Sequence, residues 1–179
     1  ELAVSPADRQ PQPSLPPEPA AEKERIVVAE DDADVRNLVK FVLQRQGLSV
    51  GYLKPVQCGG DDASFVKKIL GLQESLKDIN PFDAPDPLSP HIALRRAGIK
   101  FNKEKILTAL ERLQSKYDLV LIEGAGGLLV PITDDYYMAD LARDIDAELI
   151  IVARRGLGTI NHTLLTIEQA RSRGLKVRG

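Results

Sequence analysis

Apolar positions along the chain follow two alternating patterns. Short runs rich in β-branched residues read as strands: "RIVVAE" from Arg25, "SVGYLKP" from Ser49, "YDLVLIEG" from Tyr117 and "AELIIVAR" from Ala147. Between them lie segments with a helical period, "VRNLVKFVLQRQ", "ASFVKKILGL", "NKEKILTALERLQ" and "TINHTLLTIEQARSRG". In the third of these, Ile106, Leu107, Leu110 and Leu113 share one face, and the last is an amphipathic helix closed by Gly174. "YDLVLIEG" is apolar almost throughout, as a strand covered on both faces must be. The alternation predicts an α/β fold: a mostly parallel sheet flanked by helices in three layers, with right-handed crossovers. The closing "LKVRG" reads as the start of another strand, so the domain is expected to be truncated at its C-terminus.

The first 24 residues break this pattern. Pro6, Pro11, Pro13, Pro16, Pro17 and Pro19 remove backbone donors where almost no large apolar side chain is available for a core, so 1–24 is expected to be a disordered linker and 25–179 a single domain. A formal net charge of -2 gives no general attraction to nucleic acid or to an anionic membrane, so any phosphate contact has to be a local site. No apolar run approaches the roughly 20 residues of a membrane span. The single cysteine, Cys58, excludes an internal disulfide, and a cytoplasmic location is expected.

In such a sheet, ligands gather at the carboxyl ends of the strands. The second strand ends at Lys54, because Pro55 cannot extend the ladder. Asp61 and Asp62 follow near a helix start, where a carboxylate commonly caps free amides. The next long strand ends in Glu123 and then Gly124, Gly126 and Gly127. A carboxylate there suits Mg²⁺, and the glycines allow a backbone to approach a ligand closely. Gly156, Gly158, Thr159 and Asn161 stand at the mouth of the last helix, whose free amides favour an anion. Each of these has a plainer reading: a surface lysine, a glycine turn beside a solvated glutamate, an N-cap at Thr159 or Asn161, a packing role for His162. Ser89 is read as an N-cap with Pro90 at the first helical position and His91 on the first turn. Cys58, with no histidine or second cysteine nearby in sequence, is read as a small loop residue.

Taken together, "GYLKPVQCGG", "LSPHIA", "YDLVLIEGAGGLLVPI", "ADLA" and "GLGTINHTLLTIEQARSRGL" resemble dethiobiotin synthase, from about Leu48 to Gly179. The resemblance implies a P-loop NTPase-like fold and a reaction in which CO2 forms a carbamate on 7,8-diaminononanoate. ATP then phosphorylates the carbamate, and the second amine displaces phosphate to close a cyclic urea in biotin biosynthesis. It implies that Lys54 is catalytic, contacting the carbamate and the transferring phosphate. Cys58, Gly158, Thr159 and Asn161 would join Lys54 in binding substrate. Mg²⁺ would be held by Asp62, with Asp61 as a rival, and by Glu123, while Glu123, Gly124, Gly126 and Gly127 would border ATP. A homodimer is also implied, because the substrate's carboxylate tail would be received at "LGTINH" across a twofold interface.

One segment departs from that family. Where it carries a glycine-rich phosphate loop ending in Gly-Lys-Thr, this chain reads "AEDDADVRN", with no glycine and with Glu30, Asp31, Asp32 and Asp34 set against a polyphosphate. The stretch from Glu24 to Val50 instead resembles the opening of a response-regulator receiver domain, with Asp31 and Asp32 as its acidic pair. Two alternatives to an active ligase therefore stand: a receiver-type phosphoacceptor module, or a non-catalytic chimeric relic that keeps the substrate-tail site without holding ATP.

Overall fold

A computed structural model of the chain describes residues 24–29, 47–153 and 155–179. The proline-rich segment, the helix expected over "VRNLVKFVLQRQ" and the acidic "EDDADVRN" stretch lie outside the described residues.

The strand expected from "YDLVLIEG" is β5 (Leu119–Glu123), and all five of its residues are buried. It pairs in parallel with β1 (Glu24–Ala29) on one side and β2 (Val50–Leu53) on the other. Beyond β1 come β6 (Glu148–Ile151) and β7 (Lys176–Val177), giving a five-stranded sheet in the order β2-β5-β1-β6-β7. Every pairing in it is parallel, as the α/β expectation requires. The strand begun by "LKVRG" is β7.

Six described helices connect these strands: α1 (Asp62–Leu70), α2 (Leu76–Ile79), α3 (Pro90–Arg96), α4 (Lys103–Lys116), α5 (Met138–Asp144) and α6 (Thr159–Ser172). α4 starts where Asn102 accepts the free amide of Glu104, and it packs on β2 and β5. Its buried face is Ile106, Ala109, Leu110 and Leu113, whereas Leu107 is only half-buried. Fully burying an isoleucine or leucine contributes about 1.5–3 kcal/mol, so Ile106, Leu110 and Leu113 make this one helix face a substantial part of the core.

Two expectations are corrected. The segment in which Cys58 is expected as a loop residue holds a strand: β3 (Val56–Cys58) pairs in parallel with β4 (Phe82–Ala84) to form a second, two-stranded sheet. Three-residue strands flanked by prolines are too short to show a period, and their pairing is long-range. The second correction concerns α6. It ends near Gly174 as expected, yet Ala170 is its one buried residue, and Leu157, Ile160, Leu164 and Leu165 beside or on it are exposed. Its apolar face therefore does not belong to the core of the described residues.

Candidate active site

Parallel pairing sets the geometry. Leu53 lies beside Ile122 in the ladder, so the next residues, Lys54 and Glu123, leave the carboxyl edge side by side. Lys54 is 5 % exposed and Glu123 1 %. Opposite charges buried this deeply persist only when paired and hydrogen-bonded. Lys54 Nζ lies 2.6 Å from Glu123 Oε1 and 3.0 Å from Asp62 Oδ2, and it donates to the Gly124 carbonyl at 3.3 Å. The other Glu123 oxygen accepts from the Tyr52 hydroxyl at 2.7 Å. Tyr52 and Lys54 are two residues apart on an extended strand, so both side chains leave the same face and reach one carboxylate.

Asp62 comes from the first turn of α1. Asp61 occupies the N-cap position but makes no side-chain capping bond and is exposed. The Ala63 amide, which an aspartate cap was expected to satisfy, donates instead to Gln57 Oε1 at 2.9 Å. Gln57 is buried on β3, and its own amide donates to Asp83 Oδ1 at 3.2 Å and the Gly60 carbonyl at 3.3 Å. With the helix start held by glutamine, Asp62 turns its carboxylate to Lys54. Its side chain is 34 % exposed, so it forms the open side of the cluster.

Cys58 closes β3 and is half-buried rather than lying in a loop. Burial pushes its thiol up, the nearby Lys54 charge pulls it down and Asp83 pushes it up again, with a net rise. A thiol held above its usual range is protonated at neutral pH and is a poor nucleophile. The glycine loop after Glu123 is tight at one position only. Gly126 has φ +69°, and a Cβ there would lie 2.8 Å from Val130 Cγ2, so both its backbone and its surroundings require glycine. Gly124, Gly126 and Gly127 line an apolar hollow with Pro55, Ile122 and Met138.

The remaining candidates lie further along the same edge, at the end of β6, with β1 between them and β5. Gly158, with φ +89°, is the N-cap of α6, so neither Thr159 nor Asn161 caps it. Thr159 is half-buried in a cleft of about 350 Å³ that it shares with Ile151, Arg155, His162 and Thr166, whereas Asn161 is exposed. Neither touches the Lys54 cluster. Ser89 and Pro90 open α3 as expected, but the Ser89 hydroxyl bonds His91 Nδ1 at 3.0 Å instead of capping. Tyr52 and Gln57 were missed in the sequence. Tyr52 could have been found from its two-residue spacing to Lys54; Gln57 had no local signal, because its role depends on β3.

Comparison with known proteins identifies the family. The AAA domain family model matches residues 38–179. The ATP-dependent dethiobiotin synthetase BioD of Methanocaldococcus jannaschii is 45 % identical over 150 residues, covering 81 % of this chain and 70 % of the relative. That of Methanococcus vannielii is 42 % identical over 139 residues, covering 77 % and 66 %. That of Bacillus cereus is 36 % identical over 151 residues, covering 81 % and 62 %. This chain thus spans between 62 % and 70 % of the length of these three relatives. On a family match over most of its length and on these identities, the chain belongs to the ATP-dependent dethiobiotin synthetase family.

Proposed function

We propose that this chain is an ATP-dependent ligase that closes a cyclic urea from 7,8-diaminononanoate and CO2, forming dethiobiotin in biotin biosynthesis. The observation that carries this reading is the buried Lys54 at the carboxyl edge of the sheet, 2.6 Å from Glu123 and 3.0 Å from Asp62. Lys54 is the catalytic residue: its ammonium offsets the charge that develops on the phosphoryl oxygens of the carbamyl phosphate. Lys54 and Cys58 border the reacting end of the diamine, and Gly158, Thr159 and Asn161 receive its carboxylate tail at the start of α6.

Asp62 and Glu123 fit a Mg²⁺ ion, since their carboxylates already converge on one cationic group. Mg²⁺ commonly takes only one or two carboxylates and completes its shell with water and substrate phosphates. Among the described residues no three histidine, cysteine or acidic side chains are grouped for a metal. When bound, the ion would neutralise phosphate charge. Gly124, Gly126 and Gly127 would let the backbone run close to ATP.

The protein is further proposed to act as a cytoplasmic homodimer. No described helix is long and apolar enough to cross a membrane, and the net charge of -2 disfavours nucleic acid. The dimer reading is supported by Leu157, Ile160, Leu164 and Leu165, which are between 53 % and 108 % exposed around α6, next to the tail-binding residues. The receiver alternative has no comparable support. In receiver folds the first strand lies beside the second, whereas here β5 separates β1 from β2.

The test is dethiobiotin formation from the diamine, bicarbonate and MgATP, followed by mass spectrometry. Product is expected, with a high KM for ATP because "AEDDADVRN" stands where relatives of this resemblance carry a phosphate loop. Lys54→Met is expected to lower kcat about a hundredfold to a thousandfold. No product at high enzyme concentration would reject the ligase reading, and diamine binding without nucleotide binding would then favour the non-catalytic one.

A further inference from the structure

We infer that Tyr52 is a positioning residue for this site, acting through Glu123 on Lys54; the inference rests on the ligase reading for its kinetic consequence and on geometry alone for the positioning. Tyr52 is 1 % exposed, and its hydroxyl donates to Glu123 Oε2 at 2.7 Å while Lys54 holds Oε1 at 2.6 Å. A glutamate carboxylate on its own turns easily about its last torsion, whose preference is broad. Here two donors from one strand face grip one oxygen each and hold the carboxylate plane. With that plane held, the Lys54 ammonium has one seat, between Glu123 Oε1, Asp62 Oδ2 and the Gly124 carbonyl. Removing the hydroxyl leaves a buried carboxylate oxygen without this donor and lets the plane turn. The ammonium then leaves its seat, although Tyr52 itself touches no substrate. Groups that orient a functional side chain in this way typically matter to activity about tenfold to a hundredfold.

A buried tyrosine can also be merely structural, and the molecule contains its own comparison. Tyr117 OH donates to Glu74 Oε2 at 2.7 Å, the same chemistry at the same distance, just before β5 begins and away from Lys54. The experiment compares Tyr52→Phe with Tyr117→Phe in the full chain. Three readouts are taken: melting temperature, kcat and KM for dethiobiotin formation, and the rate at which an amine reagent labels Lys54, by peptide mass spectrometry. Both variants are expected to melt at lower temperature. Only Tyr52→Phe is expected to lose kcat, about tenfold or more, with KM for the diamine unchanged, and only it is expected to label several-fold faster at Lys54. Equal Lys54 labelling in the two variants overturns the positioning role. Faster labelling with unchanged kcat overturns its part in turnover. If the wild-type chain forms no product, the ligase reading fails, and the labelling comparison still decides whether Tyr52 holds Lys54 in place.

Discussion

Glu74 is the second buried carboxylate among the described residues, and it shows how the protein treats such a group where no chemistry is asked of it. Burial pushes its carboxyl up, but the Tyr117 hydroxyl and the Lys116 ammonium outweigh that and hold it below its ordinary value of 4.5. A depressed carboxyl contributes stability that is present above the unfolded-state value and is lost as pH falls through the lower folded-state one. The stability of the wild type in urea is therefore expected to fall as pH drops below 4.5, and Glu74→Gln is expected to weaken the protein at neutral pH while flattening that part of the dependence. A wild-type and variant difference that does not change with pH would contradict the linkage. Single residues of this kind were unevenly legible. Lys54 and Glu123 stand out in the sequence because each charge ends an apolar strand. Glu74 and Tyr117 do not, because 43 residues separate them and only the fold shows that they meet.

At the scale of elements, the start of α1 decides whether Asp62 faces Lys54. That start is held by Gln57 from a neighbouring strand. Gln57→Leu is expected to cost about 1–2 kcal/mol in denaturant unfolding through the lost cap, and to lower turnover by loosening Asp62. Turnover at the wild-type level in a variant destabilised by that amount would show that Asp62 does not depend on the cap. The helices and long strands were readable from period alone because their buried faces repeat. β3 and β4 were not, since three residues cannot display a repeat and each strand exists only through pairing with the other. The acidic pair at 61 and 62 was likewise ambiguous in sequence. Asp61 was the reasonable cap by residue type, and the structure gives that task to a glutamine whose approach no local rule anticipates.

For the whole molecule, the exposed leucines and isoleucine around α6 are the feature that the helical period could not interpret. Periodicity shows that a face is apolar, not whether its cover comes from the same chain or from another. With a second copy as the proposed cover, Leu164→Glu is expected to shift the protein from dimer to monomer in sedimentation velocity while its melting temperature stays near that of the wild type. A wild-type chain that sediments as a monomer at high concentration would remove the dimer reading.

The strand order has a consequence of another kind. β1 is the third of five strands in the sheet and lies between β5 and β6, yet it is the first of them to be synthesised. Residues 30–118 must leave the ribosome before its first partner exists, and β6 follows later still. At about 5–20 residues per second, this central strand waits several seconds with both edges open. Pairing over such separations carries a high loop-closure cost, so folding is expected to be slow and governed by the insertion of this one strand. The middle of the sheet thus waits for its neighbours, and the growing chain is most exposed to aggregation before β5 arrives.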